Sequence, residues 1–126
     1  MLSHQTHTNN VRIVSDKDRG TGIFKEPFTD VDGLITNTPG VALVTQYADC
    51  TPLLFFDPVK KVIATSHSGW RGTVKEIGKI TVEKMQKECE KFPDAVVCAS
   101  DNTAMGLIYK AQEWGYNIPE DLSSII

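Results

Sequence analysis

The sequence predicts an α+β fold, a mixed β-sheet with flanking helices followed by a βα(β) segment. Three observations carry this. Five short β-branched runs in the first half are separated by turn signals. After Gly72 the apolar period lengthens from two residues to that of a helix. Beyond Phe92 an apolar run, a helical run and a second apolar run follow at the spacing of a parallel βαβ unit.

Residues 11–14 make the first strand, followed by a polar loop through Gly20 and Gly22. Residues 33–36 and 41–45 are the next two, divided by the turn Thr38-Pro39-Gly40. Residues 52–56 and 61–65 flank Asp57-Pro58-Val59-Lys60. That turn has Asp and Pro where a type I turn prefers them, so 53–56 should pair with 62–65 as a hairpin. Val74, Ile77, Thr81 and Met85 then recur at helical spacing, with Ile80 beside them. Lys75, Glu76, Lys79, Glu83, Lys84 and Lys87 fill the other face, giving an amphipathic helix of about 16 residues entered through Gly69-Trp70-Arg71-Gly72. Residues 94–99 read as a buried strand with Cys98 in the core, and Cys89 stands at the preceding helix end. Residues 102–114 read as a helix closed by Gly115 at its C-cap, and 122–126 as a last strand.

Composition removes several classes of function. A net charge of −3 from 13 basic and 16 acidic side chains excludes a basic nucleic-acid face and a polybasic membrane patch. No apolar run approaches the roughly 18–20 residues of a membrane helix. The start, Met1-Leu2-Ser3-His4-Gln5-Thr6-His7, has no charged-then-apolar signal layout. Three cysteines, an odd number, fit a reduced protein better than a disulfide scaffold, so a cytoplasmic location is expected.

The residues able to carry chemistry in the first segment are His4, His7, Cys50 and His67. Cys50 stands in Ala48-Asp49-Cys50-Thr51-Pro52, where one run ends and the next begins, and His67 ends a strand before the Gly69–Gly72 turn. Two imidazoles and a thiolate make a zinc shell with a fourth position left for water. Their spacings of 43 and 17 residues match no local finger pattern. A small core cysteine, a surface His7 and a turn-capping His67 therefore stay open as the alternative. So does a cysteine hydrolase with Cys50 as nucleophile and His67 as its base. His4 is expected to be exposed and not a ligand.

Gln5-Thr6-His7, Asp32-Gly33-Leu34-Ile35-Thr36, Ala48-Asp49-Cys50-Thr51-Pro52 and His67-Ser68-Gly69-Trp70-Arg71-Gly72-Thr73 stand in a telling order. Through them, residues 4–87 resemble the laccase-domain family, also called multicopper polyphenol oxidase, a family of purine nucleoside phosphorylases. The resemblance implies a piece of an α/β/β/α-type fold and one zinc ion held by His7, Cys50 and His67. It implies purine nucleosides and phosphate as ligands, with phosphorolysis of adenosine, inosine and methylthioadenosine, and deamination of adenosine. Zinc brings the pKa of bound water toward about 7, giving a hydroxide able to attack C6 of adenine. A carboxylate would then shuttle the proton. Asp49 adjoins Cys50 and is the catalytic candidate, although strand neighbours point to opposite faces and a capping hydrogen bond is its other reading. Arg71, beside a helix N-terminus, is the candidate for holding phosphate or a ribose oxygen, with a surface ion pair as the alternative. Trp70 would stack on a purine or anchor the core, the commoner fate of a tryptophan. Copper is the less favoured metal, since a multicopper centre needs many more than three histidines.

Members of that family are much longer than this chain. Residues 92–106 and 114–123 in turn resemble the effector-binding domain of LacI/GalR-type regulators, in which the Ser100-Asp101 region faces a sugar or purine. The expected organisation is a partial laccase-domain over residues 1–88 joined to a LacI-like βαβ fragment over residues 89–126. Such a chimera would be a purine nucleoside enzyme, active or disabled by truncation, or else a non-catalytic fragment that binds a small molecule.

Overall fold

A computed structural model describes residues 1–89, 95–98, 101–113, 115–118 and 123–125. The chain forms β1 (Ser3–His4), β2 (Val11–Ile13), β3 (Phe28–Thr29), β4 (Gly33–Thr36), β5 (Thr51–Asp57) and β6 (Val62–Ser68). After these come α1 (Trp70–Val74), α2 (Ile77–Cys89), β7 (Ala95–Cys98), α3 (Asp101–Glu113) and β8 (Ser123–Ile125). One mixed sheet has the order β2-β4-β6-β5-β7-β8, and β1 pairs separately with β3. The outer pairs β2–β4 and β7–β8 are parallel, while β4–β6, β6–β5 and β5–β7 are antiparallel. This is the mixed α+β architecture expected from the sequence.

The hairpin forms as expected, with Phe55 opposite Ala64 and Leu53 opposite Ser66. Asp57 starts its turn by accepting the amides of Val59 and Lys60, each at 2.9 Å. Period-two burial divides the strand residues between two faces. Leu53, Phe55, Val62 and Ala64 join Val11, Ile35 and the α2 residues Ile77, Val82 and Met85 in the main core. Across this interface Ser66 Oγ meets Thr81 Oγ1 at 2.7 Å, so the polar pair buried between sheet and helix is satisfied. On the opposite face Leu34 packs with Met1, Val14, Val31 and Val41.

Two expectations are corrected. Residues 41–45 form no strand; Val44 makes only an isolated bridge with Leu2. Both sides of β4 are already taken by β2 and β6, so this apolar run packs Val41 and Leu43 onto the sheet face instead of pairing within it. The single helix from Val74 is two, broken at Lys75-Glu76, where Glu76 has φ 58°. Val74 is 75% exposed, and Val82 takes its expected place in the buried stripe.

β7, α3 and β8 realise the expected βαβ unit, and β7 pairs with β5 so that both strands extend the same sheet. Gly115 closes α3 at φ 86°, with its amide on Gln112 O and that of Tyr116 on Ala111 O. Ser100, Trp114 and the side chains of Cys89, Cys98 and Asp101 lie outside the described residues. Among the described residues no helix is long and apolar enough to cross a membrane.

Candidate metal centre

The site is built around a carboxylate. Asp32, immediately before β4, has no exposed surface. A carboxylate removed from water needs donors, and this one has four. Its Oδ1 accepts the amides of Thr6 and Thr8, and its Oδ2 the amide of His7, all at 3.0 Å. Oδ2 also receives Nδ1 of His67 at 2.7 Å, and the Asp32 carbonyl accepts the His67 amide at 2.7 Å. Three successive amides reach one carboxylate because the chain bends sharply at His7, whose φ is 63°.

The turn after β6 supports this loop from the other side. A Cβ on Gly69 would lie 2.4 Å from Cδ2 of His7, and one on Gly72 would lie 2.9 Å from the Thr8 carbonyl. Both glycines of the Gly69-Trp70-Arg71-Gly72 turn therefore let the His7 loop approach. The rings of His7 and His67 meet edge to face, centroids 4.9 Å apart. Asp49, in a left-handed conformation at φ 68°, brings Cys50 to the start of β5.

The structure brings His7, Cys50 and His67 together. Each offers one donor atom, and the three atoms lie within 4.8 Å of one another. Cys50 Sγ stands 3.6 Å from His7 Nε2. Zinc bonds of about 2.0–2.3 Å in a tetrahedron separate nitrogen and sulfur donors by roughly 3.3–3.6 Å, so this pair already has the spacing of ligands. With Nδ1 of His67 engaged by Asp32, its Nε2 keeps a lone pair for a metal. The donor set fits one zinc ion.

The donors line an open cavity of about 290 Å³ with His4, Gln5, Gln46 and Tyr47. Gln5 clamps one wall, donating to the Gln46 carbonyl and accepting its amide, each at 2.8 Å. The Tyr47 ring lies 5.7 Å from that of His67, its hydroxyl hydrogen-bonded with Thr45 at 2.6 Å.

The other sequence candidates take varied positions. His4 is exposed, lines the cavity and stands outside the donor cluster. Asp49 is exposed and outside the cavity lining. Arg71 is also exposed, its guanidinium 5.2 Å from the Trp70 ring. Trp70 is 71% exposed and is no core anchor: it opens α1 on the solvent side, while Gly72 is the buried residue of that helix. Cys50 bonds to His7 and not to His67, whose Nδ1 belongs to Asp32. Asp32 is the site residue that sequence reasoning did not single out. Its signals in the sequence are its place at the head of the Asp32-Gly33-Leu34-Ile35-Thr36 motif and, as an acid, directly before a buried run.

Fold and site together define a class: a mixed α+β domain with a three-donor candidate metal centre opening onto a cavity. The chain belongs to the multi-copper polyphenol oxidoreductase laccase family, whose model matches residues 1–109. It is 34% identical over 115 residues to purine nucleoside phosphorylase YlmD of Bacillus subtilis (strain 168), covering 90% of this chain and 41% of that protein. It is 33% identical over 90 residues to adenosine deaminase RL5 from an unknown prokaryotic organism, covering 70% of this chain and 34% of the relative. The crystal structure of the Bacillus licheniformis hypothetical protein YfiH superposes with a TM-score of 0.68 at 28% identity, covering 94% of this chain and 46% of that one. The chain thus spans less than half the length of these relatives. The family match runs past residue 88, where the first segment was expected to end, and these similarities lend no support to the LacI-like resemblance.

Proposed function

We propose that the chain carries the metal centre of a zinc-dependent enzyme acting on purine nucleosides in the cytoplasm. Its reactions would be phosphorolysis of adenosine, inosine or methylthioadenosine and deamination of adenosine. The observation that carries this reading is the convergence of His7, Cys50 and His67 at the cavity, in a chain whose relatives are named for these activities. Zinc is favoured over copper because a thiolate and two imidazoles with an open fourth position form a catalytic zinc shell, and no further imidazole but His4 is present in the chain. Bound there, the ion would act as a Lewis acid toward the substrate.

The chain's own residues would do the rest. A cavity of about 290 Å³ suits one nucleoside, with the Gln5–Gln46 clamp and Tyr47 as its walls. Arg71 would take a phosphate or ribose oxygen, and its neighbour Trp70 offers an exposed ring for a purine. Asp32 is committed to four donors, and Asp49, adjoining Cys50 though outside the cavity lining, is the carboxylate proposed to move the proton.

The test follows base release from inosine with phosphate present, and ammonia release from adenosine, in zinc-loaded wild type and Cys50→Ala. Turnover in the first and none in the second is expected. Zinc-loaded, folded protein without either reaction would contradict the activity, and a purine found bound without turnover would point to a non-catalytic, small-molecule-binding chain. One observation, the Cys50–His7 hydrogen bond, favours a second reading in which Cys50 is a hydrolytic nucleophile. Rapid alkylation of Cys50 in zinc-saturated protein would support that reading, and protection by zinc the first.

A further inference from the structure

We propose that Asp32 is a positioning residue that fixes both histidine donors at once, setting the tautomer of His67 and the backbone of His7. The proposal's purpose rests on the metal-binding reading above; its geometry does not. An ionised carboxylate only accepts hydrogen bonds. In the neutral imidazole, the 2.7 Å contact between Oδ2 and Nδ1 therefore favours the Nδ1–H tautomer, whose Nε2 keeps the lone pair a metal ligand needs. The same side chain gathers the amides of Thr6, His7 and Thr8 and holds His7 in its left-handed conformation. Two donors 60 residues apart in sequence are thus set by one buried group, and the Asp32 carbonyl adds a bond to the His67 amide.

Asn is nearly the same shape and separates positioning from packing. Its carbonyl oxygen can still accept the amides of Thr6 and Thr8. Its NH2 group, in place of Oδ2, can only donate, so it loses the His7 amide and turns the proton of His67 to Nε2. The metal would then have to reverse that tautomer in order to bind.

The experiment is nitrogen-15 NMR of the His67 ring in the metal-free 126-residue chain, wild type and Asp32→Asn, with zinc affinity measured by chelator competition. Expected are the Nδ1–H tautomer in wild type, the Nε2–H tautomer in the variant, and a zinc affinity lowered about 10–100-fold. An Nε2–H tautomer in wild type overturns the proposal, and so does a variant that keeps the wild-type tautomer and affinity while merely melting earlier. If the variant does not fold, the wild-type tautomer alone decides. If the tautomer switches as expected but wild type binds no zinc, Asp32 still positions His67 and it is the metal reading that fails.

Discussion

Gly69 shows how little room the site leaves. Its missing side chain is replaced by the His7 ring, and an alanine methyl would stand 2.4 Å from Cδ2. Gly69→Ala must therefore push His7 away from Cys50 and His67. Zinc affinity should fall at least tenfold while the hydrophobic core, far from the change, keeps the protein folded. Chelator competition with circular dichroism on the same sample checks both halves; unchanged affinity would mean that the loop yields without moving the donor. The three donor candidates were legible in the sequence because histidine and cysteine are scarce here, and Cys50 lies just before β5 and His67 near the end of β6, each beside a turn. Asp32 was not, since its function lies in four contacts made by residues 24 to 35 positions away. Trp70 misled because a tryptophan's size argues for burial, whereas the first residue of a short surface helix faces water.

At the scale of elements, local chemistry was readable and competition between elements was not. The β5–β6 hairpin depends on one turn, and Asp57 with Pro58 announces it. Residues 41–45 carry the same apolar signal as the true strands, but strand pairing depends on which sheet edges remain free. The break between α1 and α2 has no glycine or proline to mark it; Glu76 simply adopts the left-handed conformation. Glu76→Gly should relieve that strain and leave the break intact, changing stability by about 1 kcal/mol or less in the stabilising direction. Urea unfolding measures it, and a clear loss would show that the Glu76 side chain, 3.3 Å from Lys79 Nζ, matters more than its backbone. Ile77 and Val82 pin α2 to the sheet with no exposed surface. Ile77→Ala should cost about 2–5 kcal/mol by the same measurement, whereas Val74→Ala, on the exposed turn before it, should cost well under 1 kcal/mol.

For the whole molecule, one sheet has two unequal faces. Among the described residues, α2 covers one, and on the other the second cluster packs over Leu34 of β4 while Thr45 and Tyr47 reach Thr65 of β6. Leu54, Phe56 and Ile63, side by side on β5 and β6, remain about half exposed. Such a contiguous apolar strip favours association. Sedimentation of the chain should show concentration-dependent self-association that Phe56→Lys suppresses without loss of helix or sheet signal. A monodisperse monomer at high concentration would show that the strip is tolerated in water.

The candidate metal centre also belongs to this scale, since His7, Cys50 and His67 come from three separate stretches that the folded sheet brings within 4.8 Å. Zinc binding should accordingly raise the melting temperature, because a ligand that binds only the folded state stabilises it. The most direct measurement is zinc per folded chain in wild type and Cys50→Ala, by elemental analysis after dialysis. One zinc per chain in wild type and none in the variant is the predicted result. A folded wild type without zinc, or a variant that retains it, would contradict the His7–Cys50–His67 centre.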